Sequence, residues 1–449
     1  MPARMRSRPK PASLLGSLFA NTAWMLGGKG VGAVCSLIYL AILTRSLGLK
    51  SFGHFSLIFG TAQALVAIAG FQTWRVVVRY GAHHVHRGDW AAFGRLGMLA
   101  GLIDAFGAMC GCVMAYVAIV RFGDALDLNP TLIGTALWFN IASLWALSSA
   151  PTGIVRALDR FDAATYVEAT VPLGRLLAAV LIWATGPSLA RFLIAWALVD
   201  LLEAALYWIV ARRLCPQAVR LRHLLAWRVA RVENPGIGRF ALITYLGSSL
   251  TAAVRSGPLL AIGYLVGTRA AGLYRLADQL AQGLSKLSTL LARASYAEIA
   301  RASVAADPAD FRRLTLQTTR LAGIAGAGVV ALAVVFGGTL LELMGGPAFR
   351  RGYAVLVPLT VAACFDLASV AFEPALHATG QAREALMTRV VGLGALIAAA
   401  VLLGARSGAA IAWSVALGGA VTYLALGWLT LRTLRHHGRV APDGARARP

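Results

Sequence analysis

Leu47-Gly48-Leu49-Lys50-Ser51-Phe52-Gly53-His54-Phe55-Ser56-Leu57 recurs 219 residues later as Val266-Gly267-Thr268-Arg269-Ala270-Ala271-Gly272-Leu273-Tyr274-Arg275-Leu276. The shared pattern is aliphatic-G-x-[KR]-x-x-G-x-[FY]-x-L, and each copy lies between two long apolar runs. The chain therefore reads as a duplicated unit, with one copy of the motif between the first and second runs of each half.

Outward from the motif, apolar runs repeat along the whole chain. They fall near 22–44, 52–74, 94–120, 131–155, 164–186 and 190–211, then near 240–265, 271–295, 314–341, 353–377, 385–405 and 409–431. Such runs exceed the roughly 18 residues that mark a membrane span. The chain is 58% hydrophobic and 14% charged, with mean hydropathy +0.69, so lipid rather than water is its main solvent. In lipid each backbone N–H and C=O must be satisfied within a helix or a closed barrel. A barrel needs strands of strict alternation, whereas 321–341 and 390–403 are apolar on all sides. The expected fold is an all-α integral membrane protein of about twelve transmembrane helices, two repeated six-helix bundles around a central cavity. The expected divisions are an N-terminal half at 1–211, a basic cytoplasmic linker at 212–239, a C-terminal half at 240–431 and a basic tail at 432–449.

Charge sets the expected orientation. Of 42 Lys and Arg, about 26 fall on one side of the alternating spans and about 8 on the other, the asymmetry of the positive-inside rule, which makes both termini cytoplasmic. Arg4, Arg6, Arg8 and Lys10 precede an apolar stretch too long for a signal-peptide core, so the N-terminus reads as uncleaved. The net charge of +23 follows the cytoplasmic loops rather than clustering with stacking aromatics, which points to anionic membrane lipids and away from nucleic acid. The linker alone carries Arg212, Arg213, Arg220, Arg222, Arg228, Arg231 and Arg239.

The residues 45–57, R-x-L-G-x-x-x-F-G-x-[FY]-x-L, follow a glycine-rich first helix with Asn21, Gly27, Gly28, Gly30 and Gly32. Together they resemble polysaccharide exporters of the multidrug/oligosaccharidyl-lipid/polysaccharide flippase superfamily, above all Wzx-type O-antigen flippases. Pro151-Thr152-Gly153-Ile154-Val155-Arg156-Ala157-Leu158-Asp159-Arg160 and its weaker echo Pro374-Ala375-Leu376-His377-Ala378-Thr379-Gly380-Gln381 add to the likeness. The resemblance covers nearly the whole chain in architecture, through loose motifs. It implies a transporter of the bacterial inner membrane, not an enzyme. Its implied substrate is an undecaprenyl-diphosphate-linked oligosaccharide, moved from the cytoplasmic to the periplasmic leaflet for O-antigen, lipopolysaccharide or other polysaccharide biosynthesis, with other polysaccharide-assembly proteins as partners.

Charged stripes inside the spans suggest where such a substrate sits. At 100° per residue Arg275, Gln279, Gln282, Lys286, Thr289 and Arg293 share one face of the eighth span, with Asp278 beside them, three residues from Arg275. Thr244, Ser248, Thr251 and Arg255 repeat the device in the seventh span, and the 219-residue shift sets Lys29, Gly32 and Ser36 in the corresponding places of the first. Gln63 corresponds to Gln282 in the same way. A central Arg or Lys facing lipid costs roughly 2.5–3.5 kcal/mol. Arg175, Arg255 and Lys286 together would cost about 8–10 kcal/mol, comparable to the net stability of a fold. They are expected to face a water-filled cavity or acidic partners. Lys29, Arg293, Arg320 and Arg389 lie near span ends and can snorkel instead. The candidate substrate-binding set is Lys29, Arg175, Arg255, Arg275, Gln279, Gln282 and Lys286, because guanidinium and ammonium groups donate charge-assisted hydrogen bonds to a diphosphate.

Asp104, Asp200, Glu203, Asp366 and Glu373 are candidate ion-coupling carboxylates, with ion pairing to the cations as the plain alternative. No metal or cofactor is expected. Gly27-Gly28-Lys29-Gly30-Val31-Gly32 lacks the spacing and hydroxyl of a phosphate loop and reads as small-residue helix packing. His83, His84 and His86 read as part of a solvated basic loop, and the five cysteines as small packing residues. Two rival readings are a multidrug/cation antiporter of the same superfamily, which would favour an acidic cavity, and a membrane glycan polymerase, ligase or acyltransferase, which would need larger outside loops.

Overall fold

The computed structural model describes residues 14–123, 127–301, 308–369, 372, 376 and 382–440, and among them every regular element is helical. The first half holds α1 (Leu14–Ala69), α2 (Thr73–Arg87), α3 (Trp90–Phe122), α4 (Ile133–Trp145), α5 (Ser149–Ala157), α6 (Phe161–Thr185) and α7 (Leu189–Leu214). A 3₁₀ turn at Leu221–Ala226 and α8 (Trp227–Glu233) lead to the second half. That half holds α9 (Ile237–Leu265), α10 (Thr268–Arg301), α11 (Pro308–Gly345), α12 (Tyr353–Ala368), α13 (Ala382–Leu402) and α14 (Gly408–Val440), with a 3₁₀ turn at Pro347–Gly352 after α11. Nine helical segments among the described residues are long and apolar enough to cross a membrane.

The repeated motif is where each half turns its chain. α1 breaks at Gly48, whose φ of 69° and ψ of 174° belong to a region essentially closed to side-chain-bearing residues. One helix by hydrogen bonding thus becomes two spans. Gly267, the corresponding residue of the second copy, has φ 105° and separates α9 from α10.

Two regions differ from the expectation at the level of elements. The basic stretch around His83, His84 and His86 is the helix α2 rather than a loop. Its apolar face buries Val76 and Val77, and Gly81 lies against the Phe93 ring. The fourth span is broken into α4 and α5. At that break Asp104 of α3 accepts from the Ala150 N–H at 2.7 Å and from Thr73 Oγ1 at 2.8 Å, tying the starts of α5 and α2 to α3. Glu373 and, apart from Leu376, the echo at 374–381 lie outside the described residues.

The largest apolar core joins the two halves, with Leu43, Phe52 and Ile58 packed in one cluster with Ile262, Leu276, Phe349 and Leu356. Elsewhere large apolar side chains such as Leu177, Leu181 and Trp183 stand exposed, as suits surfaces meant for lipid tails.

The halves are fastened at the motif end by backbone as well as side chains. Gly272 backs onto Gly53, and a Cβ on Gly53 would overlap the Thr268 carbonyl oxygen. Thr44 Oγ1 donates to the Met344 carbonyl at 2.8 Å, and Arg45 donates twice to the Leu343 carbonyl at 3.1 and 2.7 Å. These bonds cap the C-terminus of α11, whose last carbonyls lack helical partners and attract a cation. Asp127, in the loop after α3, accepts from Thr268 Oγ1 at 2.6 Å and from its N–H at 3.3 Å, capping the start of α10. Those bonds, with the Lys50 and His54 charges nearby, hold the Asp127 carboxyl below the usual carboxylate range.

Candidate functional site

Two guanidinium groups, one from each half, converge on a single ring. Arg175 of α6 lies 5.4 Å from the Phe59 centroid and Arg275 of α10 lies 5.2 Å from it. A cation over an aromatic face is attracted by the ring quadrupole, the more so where water is excluded. The site is assembled by α1, which supplies Phe59 and Tyr39, by α6 and α7 of the first half, and by α10 of the second. Trp196 of α7 adds a face to Arg175 at 5.6 Å and meets Tyr39 edge-on at 5.3 Å.

Arg175 is neutralised locally. Its Nη2 donates to Asp200 Oδ1 at 2.6 Å, and the side chains are only 11% and 14% exposed. Its Nε has no hydrogen-bond partner among the described residues. Glu203, one turn beyond Asp200, lies within electrostatic reach of Asp200, Glu168 and Arg175. Glu168 itself accepts from Arg156 at 2.8 Å and from the Tyr207 hydroxyl at 3.2 Å. The first half therefore contains a membrane-embedded acidic group, Glu168, Asp200 and Glu203, facing Arg156 and Arg175.

In the second half a cavity of about 560 Å³ opens among α9, α10, α12, α13 and α14. Arg255, Asp278, Gln282, Asp366 and Arg389 are among the side chains that line it. Arg255 donates to Gln282 Oε1 at 2.8 Å, and Gln282 Nε2 donates to both Asp278 oxygens at 2.9 Å. Arg389 donates to Thr251 Oγ1 at 2.8 Å. Arg389 is thus drawn into the cavity rather than to a span end, because Thr251 and Asp366 offer it partners that lipid cannot. Asp278 takes its hydrogen bonds from Gln282, while Arg275, three residues before it, lies within electrostatic reach.

The stripe on α10 accordingly divides between two environments. Arg275 reaches the Phe59 ring of the first half, whereas Asp278 and Gln282 line the second-half cavity. Gln279 is half-buried between them, and Lys286, further along, is exposed. The side chains of Lys29, Thr289 and Arg293 lie outside the described residues. Of the other coupling candidates, Asp366 lines the cavity, and Asp104 has both oxygens taken by Thr73 and Ala150. Phe59, Tyr39, Trp196 and Arg389 are members of the two sites that polarity in the sequence did not single out. An aromatic in a span is ordinary there, and only its neighbours give it a role.

Residues 18–297 match the family described as polysaccharide biosynthesis protein. The inner membrane protein YghQ of Escherichia coli (strain K12) is 25% identical over 347 residues, which cover 76% of this chain and 96% of that protein. Among solved structures, a multidrug resistance MATE family transporter of the MOP superfamily in its inward-facing conformation superposes with a TM-score of 0.71 at 13% identity, over 91% of this chain and 96% of that one. An outward-facing MATE family transporter gives 0.60 at 15% identity, over 93% and 95%. The lipid II flippase MurJ in an inward closed conformation gives 0.61 at 10% identity, over 92% and 89%. At these identities the structural likeness speaks to the fold. This chain is a multi-pass membrane protein that belongs to the polysaccharide biosynthesis protein family, on the helical fold shared with the MATE transporters and MurJ.

Proposed function

We propose that the protein moves a polyprenyl-diphosphate-linked oligosaccharide from the cytoplasmic to the periplasmic leaflet of the bacterial inner membrane, serving O-antigen or related polysaccharide assembly. The observation that carries this reading is the convergence of Arg175 and Arg275 from opposite halves on Phe59, with the exposed Lys286 on the same helix as Arg275. An exposed ammonium inside a span is costly against lipid and natural against water. Arg175 already has Asp200, so we assign the diphosphate to Arg275 and Lys286, with Arg255 lining the adjoining second-half cavity. Charge-assisted contacts from these two attract the diphosphate, and their separation along the helix keeps either from clamping it.

Transport follows from which end of the seam is fastened. With both termini cytoplasmic, the Gly53–Gly272 contact, the Asp127–Thr268 cap and the Arg45–Leu343 bonds lie on the periplasmic side. The better superposition on an inward-facing than on an outward-facing MATE transporter favours the same conformer. Rocking the halves about the motif would open the periplasmic side and release the substrate there. Asp200, Glu203 and Asp366 are the carboxylates placed to couple this to a proton or sodium ion, while the two bonds on Asp104 favour a structural role for it.

The test is leaflet transfer of a fluorescent diphosphate-linked oligosaccharide in proteoliposomes. Loss of a hydrogen bond to a charged group costs about 1.5–3 kcal/mol, or about 10- to 100-fold in transfer. Arg275→Gln and Lys286→Gln should each lose that much while remaining folded, and Lys286→Arg should keep more activity than Lys286→Gln. Unchanged transfer by both Gln variants would remove the diphosphate from this site.

A further inference from the structure

We infer that the segment joining the halves, from the 3₁₀ turn at Leu221–Ala226 through α8, is a built surface for anionic phospholipid headgroups, lying in the plane of the membrane. The inference is independent of what the protein transports.

One side of the segment is locked to the first half. Asn234 Oδ1 bonds His84 Nε2 of α2 at 3.0 Å, and Asn234 Nδ2 donates to the Ala230 carbonyl at 2.8 Å. Arg95 of α3 donates through its Nε to Glu233 Oε2 at 3.0 Å, with a second bond between the same two side chains. His223 and Ala230 are buried, and the His223 ring lies against Gly94. Just beyond, Arg79 covers the Phe240 ring at 4.4 Å. The segment is therefore held by specific bonds to His84 of α2 and to Arg95 near the start of α3, at the ends of the spanning helices α7 and α9 that it connects.

The other side is apolar and open. Leu225 is 89% and Val232 81% exposed, with Val229 and Trp227 exposed between them. Val229 and Val232, three residues apart, form a short stripe on α8, and Leu225 is exposed on the 3₁₀ turn just before it. Cations rim that stripe: Arg222, Arg228 and Arg231 are exposed, and Arg228 stacks on Trp227 at 5.2 Å. Residues 212–239 contain seven arginines and one carboxylate, Glu233, which Arg95 already holds. An apolar stripe flanked by cations at bilayer level matches the acyl boundary and its phosphate layer. The chain's own terminal stretches are poor covers for it, since Arg4, Arg6, Arg8, Lys10, Arg446 and Arg448 make them basic too. Because the segment is bonded to the first half and leads directly into α9 of the second, headgroup binding would set the depth of the linker about which the halves move.

The full-length protein, with its five cysteines replaced, carries a nitroxide at Leu225→Cys, Val232→Cys or, as reference, Arg228→Cys. It is placed in nanodiscs of neutral phosphatidylcholine alone or with phosphatidylglycerol. Labels at 225 and 232 should be relaxed by oxygen and shielded from a water-soluble nickel chelate, with a deeper signal when phosphatidylglycerol is present. Joint replacement Arg222→Gln, Arg228→Gln and Arg231→Gln should abolish that dependence on phosphatidylglycerol. Nickel access at 225 and 232 equal to that at 228 in both lipids would overturn the proposal. So would spin–spin broadening from a second copy, or shielding from both reagents, the mark of a protein cover. A second measurement uses the chain with its native cysteines: the triple Gln variant should carry fewer copurified phosphatidylglycerol molecules by native mass spectrometry, and an unchanged number would overturn the proposal as well.

Discussion

Gly272 lies so close to Gly53 that a Cβ on Gly272 would stand 3.2 Å from the Gly53 Cα and nitrogen. The two glycines are the same position of the duplicated motif, so the halves meet through like elements across a local two-fold relation. Backbone-to-backbone approach excludes water from the seam and leaves Thr268 and Asp127 in bonding range. The glycine retained in both copies is therefore a packing requirement between halves, separate from the chain-turning requirement at Gly48 and Gly267.

Gly53→Ala should loosen this seam. The added methyl overlaps the Thr268 carbonyl, and such overpacking typically costs about 1–3 kcal/mol. Spin labels at Lys50 and Arg269, both exposed at the motif end, should report a larger fraction of long distances than in the parent protein. An unchanged distance distribution would mean that the seam does not hold the conformer.

The Asp127 cap carries a pH dependence of definite sign. Its carboxyl is held low chiefly by the Thr268 bonds, so the cap is complete above the ordinary carboxylate pKa of about 3.9 and is lost as pH falls through the lowered value. The Lys50–Arg269 distance should be steady from neutral to mildly acidic pH, then lengthen in strong acid. Asp127→Asn should open the seam already at neutral pH and flatten the acid limb. An Asn variant as closed as its parent would exclude the cap as a fastener.

Arg175→Gln should be poorly tolerated because it leaves Asp200 buried without its cation, a loss of about 3–5 kcal/mol. Adding Asp200→Asn should recover most of that loss, since two neutral amides can hydrogen-bond to each other. Thermal unfolding in detergent measures both steps. If the double variant is no more stable than Arg175→Gln alone, the pair is not what holds these helices.

Reporter fusions address orientation directly. Fusions near Ala218, in the linker, and at Arg435, near the C-terminus, should be active only with a cytoplasmic reporter. A periplasmic signal at either would invert the seam and with it the direction proposed for transport.

Hydropathy alone determined that the chain spans a membrane as helices, because in lipid every backbone group must find its partner a few residues away and the apolar run length registers that demand locally. The repeat at 47–57 and 266–276 likewise determined the duplication and the resemblance to polysaccharide exporters, and the wheel positions of Arg275, Gln282 and Lys286 put them on one face of α10. Partnership was a different matter. Nothing in the spacing chose Asp200 for Arg175, sent Gln282 rather than Arg275 to Asp278, or drew Arg389 in from its span end to Thr251. Asp104 looked like any membrane carboxylate until α2 and α5 brought Thr73 and Ala150 to its two oxygens, and the basic stretch around His84 is a helix whose inner face meets Phe93 and Asn234, neither of them near it in a pattern the sequence displays. Each of these choices depends on helices distant in sequence being placed side by side. A buried charge takes the best partner that packing brings within about 3 Å, and that neighbour is decided by the assembled bundle rather than by the segment that carries the charge.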